Sequence, residues 1–171
     1  KIRRELDNNS HPKTKYLYKY EQNRAIPIKF FNWACKQIDY QPNVNELKIG
    51  DCKTSFDRLP INLTITRDIA FLLGLIVAEG TVTEEFVCIT STNRNLLKKA
   101  KEIVTQYGFS YFQPSNQEIR ISNTLFAQLI IELGVGQGAA NKKIPNIIFE
   151  SPNSIIASFL TGYFEGDGGV E

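Results

Sequence analysis

The sequence predicts an α+β fold, because some segments repeat apolar residues with a helical period and others form short β-branched and aromatic runs. From about residue 60 the predicted order is helix, strands, helix, hairpin, helix, and a later helix repeats the first. The 171 residues suffice for one packed domain and a smaller appendage.

The first of these helices is predicted to be buried. Thr66 can cap its start, and Asp68 lies in its first turn. Gly80 is expected to end it in the left-handed conformation. Its apolar residues cover most of its circumference: Ile69, Leu72, Leu73, Leu75 and Ile76.

The elements that follow are predicted from caps and turn formers. A strand covers residues 86–90, and Asn93 can cap the next helix. Strands at 109–112 and 118–122 are expected to form a hairpin through Pro114 and the residues after it. Another helix runs from Thr124 to Leu133 and is followed by Gly134.

The N-terminal segment differs from the rest in charge. Residues 1–36 carry nine basic and three acidic residues, whereas residues 37–92 carry four and eight. Basic and aromatic residues alternate before a predicted helix at 27–38, which suits a nucleic acid but also an edge strand or linker from a neighbouring domain. We expect a boundary near residue 60, with a basic segment or linker at 1–60 and the main domain at 61–171.

Composition excludes several classes of protein. The three cysteines, Cys35, Cys52 and Cys88, are odd in number and widely spaced, which favours a reduced, cytoplasmic protein over a disulfide framework. The longest apolar run, 69–78, is far short of the roughly 20 residues that a membrane span needs. His11 is the single histidine, so catalysis is expected to use carboxylates, lysines or an oxygen-bound metal.

The last predicted helix has Ser151 as its N-cap and Pro152 at its first position, and it repeats the first helix at an offset of 88 residues. Both copies have small residues four apart, and such spacing lets two helix backbones approach closely. Each copy then has an acid followed by glycine. The matched pairs are Gly74 with Gly162, Ala78 with Gly166, Glu79 with Asp167, and Gly80 with Gly168.

If the two helices pack together, Glu79 and Asp167 meet at one end of the pair. Two carboxylates at helix C-termini repel each other, so a cation is needed to offset their charge. Mg²⁺, or Mn²⁺ in its place, fits because it takes one or two carboxylates and completes its shell with water and phosphate. The alternative is an ordinary helix pair with solvated acids.

Residues 72–80 and 160–168 resemble the two signature motifs of LAGLIDADG homing endonucleases, in the variant found in the intein-encoded subgroup. The Lys-Lys-Ile-Pro sequence at 142–145 is similar to the element that precedes the second motif in intein nucleases. The resemblance covers roughly residues 60–171. It implies an αββαββα half-domain used twice, with two curved sheets straddling double-stranded DNA.

The resemblance also implies roles for individual residues. Glu79 and Asp167 correspond to the metal-binding catalytic acids, one per strand cut, and Lys142 to the nearby basic residue, with Lys143 as the alternative. The sheet strands would face DNA. The residues suited to base edges or phosphates there are Thr90, Thr92, Gln113, Asn116, Gln117, Arg120 and Asn123.

Four residues follow Asp167, so we expect the remaining half to come from missing C-terminal residues or from another chain. No terminal splicing elements are found, so this segment should not splice alone. Residues 1–60 can be a DNA-contacting arm or the remnant of a splicing domain.

Three functions stay open. They are a metal-dependent DNA endonuclease from an intein, a LAGLIDADG-type DNA-binding module without cleavage, similar to maturases or regulators, and a noncatalytic structural domain.

Overall fold

The computed structural model describes residues 17–23, 25–50 and 58–167. The chain divides into two compact units, Lys1–Leu47 and Lys48–Glu171. The basic residues before Leu17, and Gly168 of the second motif, lie outside the described residues.

The first unit contains two helices, α1 (Leu17–Asn23) and α2 (Ile28–Gln37), and a 3₁₀ turn at Val44–Glu46. Phe30 and Ala34 of α2 are buried with Leu17, and Tyr20 and Trp33 pack against them. The helix predicted at 27–38 is therefore confirmed, and its apolar face forms the small core of this unit.

The second unit contains five helices and six strands among the described residues. The helices are α3 (Arg67–Glu79), α4 (Arg94–Gln106), α5 (Thr124–Glu132), α6 (Asn146–Phe149) and α7 (Asn153–Asp167). The strands are β1 (Lys48–Gly50), β2 (Arg58–Pro60), β3 (Gly80–Val82), β4 (Val87–Thr90), β5 (Tyr111–Ser115) and β6 (Glu118–Ile121).

The strands form two antiparallel sheets, which confirms the α+β class. β1 pairs with β2, and the larger sheet has the order β3-β4-β6-β5. One face of the larger sheet packs into the core with the apolar sides of the helices. Its buried residues are Val82, Val87, Ile89, Ile119 and Ile121.

Side-chain caps fix the starts of three helices. Thr66 accepts a hydrogen bond from the Ile69 amide at the start of α3, and Asn93 accepts from the Leu96 amide at α4. These bonds satisfy amides that have no partner within the helix. Asn123 does the same for α5, so the helix boundaries follow closely from local sequence.

Three local predictions need correction. Gly80 is extended, with φ −81° and ψ 155°, because β3 begins there directly; a Cβ at this position would lie 2.5 Å from the Ile76 carbonyl oxygen. Pro114 lies within the edge strand β5, at an irregularity in pairing, where a missing amide is tolerated. Ser151 does not act as the expected N-cap of α7, which begins at Asn153; its hydroxyl donates to the Ile147 carbonyl of α6 at 2.7 Å.

The structural division falls between Leu47 and Lys48, before the boundary expected near residue 60. It does so because β1 and β2 pair with each other and Leu59 is buried in the core of the second unit. The roles assigned to residues 1–60 stay predictions. Among the helices that the structure describes, none has the length and apolar character needed to cross a bilayer.

Candidate active site

The helices α3 and α7 pack against each other at their glycines. A Cβ placed on Gly74 would lie 2.0 Å from the Phe159 carbonyl oxygen, and one on Gly162 would lie 2.1 Å from the Phe71 carbonyl oxygen. Phe71 and Phe159 are themselves a matched pair in the repeat. The contact is therefore reciprocal, as in an interface with two-fold symmetry, and side chains larger than hydrogen are excluded from both positions.

The close approach continues to the C-terminal ends of the two helices. A Cβ on Gly166 would lie 2.7 Å from the Ala78 Cβ and 3.2 Å from Cγ of Glu79. Cγ of Glu79 thus lies close to the backbone of Gly166, which immediately precedes Asp167. The two acids lie at the same end of the helix pair, with Glu79 half-buried and Asp167 exposed.

Lys142 extends to this end of α3 from a loop far along the chain. Its Nζ donates a hydrogen bond of 3.0 Å to the carbonyl oxygen of Ala78, which is one of the helix-end acceptors. Burial lowers the pKa of the Lys142 amine, and the charges of Glu79 and Asp167 act in the opposite direction. Lys143 is exposed.

The oxygen groups that the described residues offer at this end include the Glu79 and Asp167 carboxylates. In the ranges 17–23, 25–50 and 58–167, no group of three or more His, Cys, Asp or Glu side chains could hold a metal. Two carboxylates fit Mg²⁺ or Mn²⁺, which leave several positions to water and phosphate oxygens. The same arrangement fits a zinc site poorly, because zinc needs more nitrogen or sulfur ligands.

The face of the large sheet opposite the core carries polar and aromatic side chains, and we call it the outer face. Strand alternation and register place them in rows across the sheet. One row contains Thr81, Cys88, Arg120 and Phe112, and the next contains Thr90 and Glu118. Of the predicted DNA contacts, Thr90 and Arg120 therefore share this face.

Arg120 is held at the centre of the outer face. Its guanidinium carbon lies 4.4 Å from the ring centre of Phe86 and 5.2 Å from that of Phe112, and one amino group bonds Glu118 Oε1 at 3.3 Å. Its Nε is buried without a hydrogen-bond partner among the described residues. Such contacts restrict the rotamers of a long side chain before any ligand binds.

Glu118 also accepts a hydrogen bond from the Cys88 thiol at 3.0 Å. Burial, followed by this bond, raises the pKa of Cys88 to about 11. The Cys88 bond, together with Arg120, lowers the pKa of the Glu118 carboxyl. At neutral pH the outer face therefore carries a neutral thiol, a carboxylate and a guanidinium.

The other predicted DNA contacts are dispersed. Asn116 and Gln117 form the exposed turn between β5 and β6, and Thr92 is exposed in the loop before α4. Gln113 accepts a hydrogen bond from Lys101 of α4 at 2.6 Å, so its side chain extends toward a helix.

Asn123 is a correction to the predicted set. It is 1% exposed and its Oδ1 accepts from the Phe126 amide at 2.9 Å, so it caps α5 inside the fold. Phe86, Phe112 and Glu118, which surround Arg120, were not among the predicted site residues. Period-two alternation from Arg120 points to Glu118, whereas the two phenylalanines require the strand register.

Comparison with known proteins gives a family match within this unit. Residues 67–132 match the family model described as a LAGLIDADG-like domain. These residues extend from the start of α3 to the end of α5, so they include the first motif helix and the whole large sheet.

Three proteins of Methanocaldococcus jannaschii are similar to this chain. The replication factor C small subunit is 34% identical over 72% of this chain and 9% of that protein. Reverse gyrase is 27% identical over 98% of this chain and 10% of that protein. The DNA-directed RNA polymerase subunit Rpo1C is 28% identical over 66% of this chain and 14% of that subunit. The chain thus spans 9% to 14% of the length of these relatives.

The family match begins at α3, whose glycine contacts and terminal glutamate are described above, and it includes the sheet that carries Arg120. Residues 67–132 are therefore similar to a LAGLIDADG-like domain, and this match supports the LAGLIDADG resemblance seen in the sequence.

Proposed function

We propose that this chain contains the first half of a metal-dependent, site-specific DNA homing endonuclease encoded within an intein. The observation that carries the proposal is the reciprocal glycine packing of α3 and α7, which ends with Glu79 against Gly166, next to Asp167. The LAGLIDADG-like match supports the nuclease class.

The relatives support the intein origin. Their names describe three different proteins, yet each is similar to this chain over a segment that makes up 9% to 14% of its own length. A segment shared by proteins of different function is expected of an element inserted into each of them. We therefore also propose that the whole protein cleaves DNA at a specific site.

In the proposed reaction Glu79 and Asp167 would hold Mg²⁺ or Mn²⁺. Such an ion, when bound there, would supply polarisation of the phosphodiester and a lower pKa for water at the site. The Lys142 ammonium, fixed by its bond to the Ala78 carbonyl, stabilises negative charge that develops on the phosphate oxygens. The glycine contacts hold the two acids at a fixed spacing, since neither helix can move closer.

The outer face of the sheet supplies base recognition. Arginine pairs with two acceptors of guanine in the major groove, and this is the commonest specific contact between proteins and DNA. Arg120 is already restrained by Phe86, Phe112 and Glu118. Less side-chain entropy is therefore lost when it binds a base. Thr90 in the adjacent row can contact a neighbouring base or phosphate.

Cleavage of a plasmid by the full-length protein tests the proposal. The plasmid carries the flanking coding sequences joined without the insertion, and the reaction contains Mg²⁺. We expect Glu79→Gln and Asp167→Asn each to lower the double-strand cleavage rate by about 100-fold or more, while DNA affinity persists.

Glu165→Gln is the matched control, because Glu165 is an exposed acid on α7 two residues from Asp167. It should retain the cleavage rate. A wild-type protein that binds DNA but cuts no plasmid in Mg²⁺ or Mn²⁺ would contradict the endonuclease proposal. That result would favour the DNA-binding module.

A further inference from the structure

A cavity lies between α4 and the hairpin formed by β5 and β6, away from the helix-end acids. Its volume is about 300 Å³. It is lined by Arg94, Leu97, Lys101, Gln113 and Asn116. Two of these residues are basic, two are neutral amides and none is acidic, so the cavity combines positive charge with hydrogen-bond donors. This composition suits a phosphate group.

The two basic side chains of the cavity have no carboxylate partner among the described residues. Lys101 donates to the neutral amide oxygen of Gln113, which leaves the ammonium charge uncompensated. Other lysines of α4 are engaged differently: Lys98 lies 3.9 Å from Glu102, and Lys99 lies 3.5 Å from the ring centre of Phe71. Arg94 and Lys101 thus differ from Lys98 and Lys99 in having neither a carboxylate nor an aromatic ring beside the charge among the described residues.

Arg94 and Lys101 lie about two turns, or about 10 Å, apart along one side of α4. This spacing lets them reach different phosphates of one DNA strand, where single-strand charges recur about every 3.4 Å along the duplex axis. Arg94 is exposed at the start of α4, and Lys101 is half-buried. Both side chains still have N–H groups that can donate hydrogen bonds to an anion.

The cavity lies at the end of the sheet where the hairpin turn is found, since Asn116 of that turn lines it. The amide of Ser91 donates to the Gln117 carbonyl at 2.8 Å, which joins the loop before α4 to the hairpin turn. Thr90 and Glu118, directly next to this contact, form the last paired row of the outer face. Phosphates line both sides of a major groove about 12 Å wide, so DNA bound against the outer face can bring one of its backbones to this end of the sheet.

We propose that Arg94 and Lys101 form a second, sequence-independent contact that binds DNA backbone phosphates beside the base-reading sheet. This inference rests on the proposed DNA-binding function. Contacts at the cavity fix the position of the duplex relative to the outer face. With the duplex in that position, Arg120 contacts a base and so contributes sequence specificity.

Salt dependence of DNA affinity tests the inference without knowledge of the target, because phosphate contacts do not depend on sequence. Binding of the full chain to duplexes of two unrelated sequences is measured across a salt series. We expect Arg94→Gln and Lys101→Gln each to reduce the slope of log affinity against log salt by about 0.9, and the double variant by about 1.8. Both duplexes should weaken by the same factor.

Lys98→Gln is the matched control, since it removes one charge from the same helix outside the cavity. It should leave the slope nearly unchanged. Equal slopes for the wild type and the double variant, or an equal decrease in Lys98→Gln, would overturn the inference. Thermal unfolding of each variant confirms that the fold is retained, which is expected because Arg94 is exposed.

Two further outcomes separate the possible failures. A wild-type chain whose binding shows no salt dependence overturns the DNA-binding proposal and this inference together. Calorimetry with inorganic phosphate identifies a small-anion site: saturable binding that Arg94→Gln abolishes, with no change in the DNA slope, would overturn the backbone contact alone.

Discussion

The helices α3 and α7 have the same motif but different surroundings. Leu72 and Ile76 of α3 are 1% and 0% exposed, whereas their counterparts Leu160 and Phe164 of α7 are 38% and 61% exposed. The glycine contacts between the helices are nevertheless reciprocal. The motif therefore determines how the two helices meet, while burial of their other sides depends on the layer packed there.

The layer that covers α3 is the large sheet with α4 and α5. Their buried apolar residues join those of α3 in one core. The described residues contain no second sheet over α7. A further lobe built like the first would cover Leu160 and Phe164, which agrees with the proposal that another half completes the protein.

Truncation of the matched leucines gives the largest expected contrast. Leu72→Ala removes a fully buried side chain and leaves a cavity, so the free energy of unfolding should fall by about 2–5 kcal/mol. Leu160→Ala should cost less than about 1 kcal/mol in the same chain, since its side chain is partly solvated. Urea unfolding of both variants measures the difference. Similar losses would show that the side of α7 away from α3 is covered in solution.

Substitution of the matched glycines, in contrast to that of the leucines, should destabilise the protein equally in α3 and in α7. Gly74→Ala and Gly162→Ala each force a Cβ against a backbone carbonyl that no rotamer change can relieve. We expect overpacking of about 3 kcal/mol, offset by about 1 kcal/mol of better helix propensity, for a net loss of about 2 kcal/mol each. The two losses should be equal within error in urea unfolding.

Thr161→Ala is the control for the glycine pair, because Thr161 is exposed on the same helix as Gly162. Its effect should stay within about 0.5 kcal/mol. If Gly74→Ala were costly and Gly162→Ala neutral, the reciprocal packing would be contradicted, and with it the fixed spacing of the acids.

Local chemistry made most of the second unit predictable. The side chains of Thr66 and Asn93 identify helix starts that the structure confirms, and the 88-residue repeat identifies the packed helix pair. These signals are contained within a few residues or within one comparison of the chain with itself. They do not depend on knowing which strands are neighbours.

Features that depend on register or on distant contacts were less predictable. The position of Phe112 beside Arg120 follows from the pairing of β5 with β6, which a one-residue shift would reverse. Gly80 was expected in the left-handed conformation, yet it is extended because β3 follows α3 without a turn. An isolated sequence segment contains neither fact.

Asn123 illustrates the same limit and gives the smallest expected effect. Its amide suits DNA, but its burial and its bond to the Phe126 amide make it part of the layer that covers α3. Asn123→Ala should lower the free energy of unfolding by about 1 kcal/mol through loss of the cap. Its Nδ2 has no hydrogen-bond partner in the part of the chain that the structure describes, and removing this buried polar group limits the loss.

The exposed turn residue Asn116 provides the comparison for this prediction. Asn116→Ala should leave urea unfolding within about 0.5 kcal/mol of the wild type, while Asn123→Ala should retain the salt dependence of DNA binding. A steep loss of DNA affinity in Asn123→Ala without loss of stability would contradict the assignment as a cap. Helix α5 contributes Phe126, Ala127 and Ile130 to the core that buries α3. Removal of its N-cap therefore also tests how far the burial of α3 depends on α5.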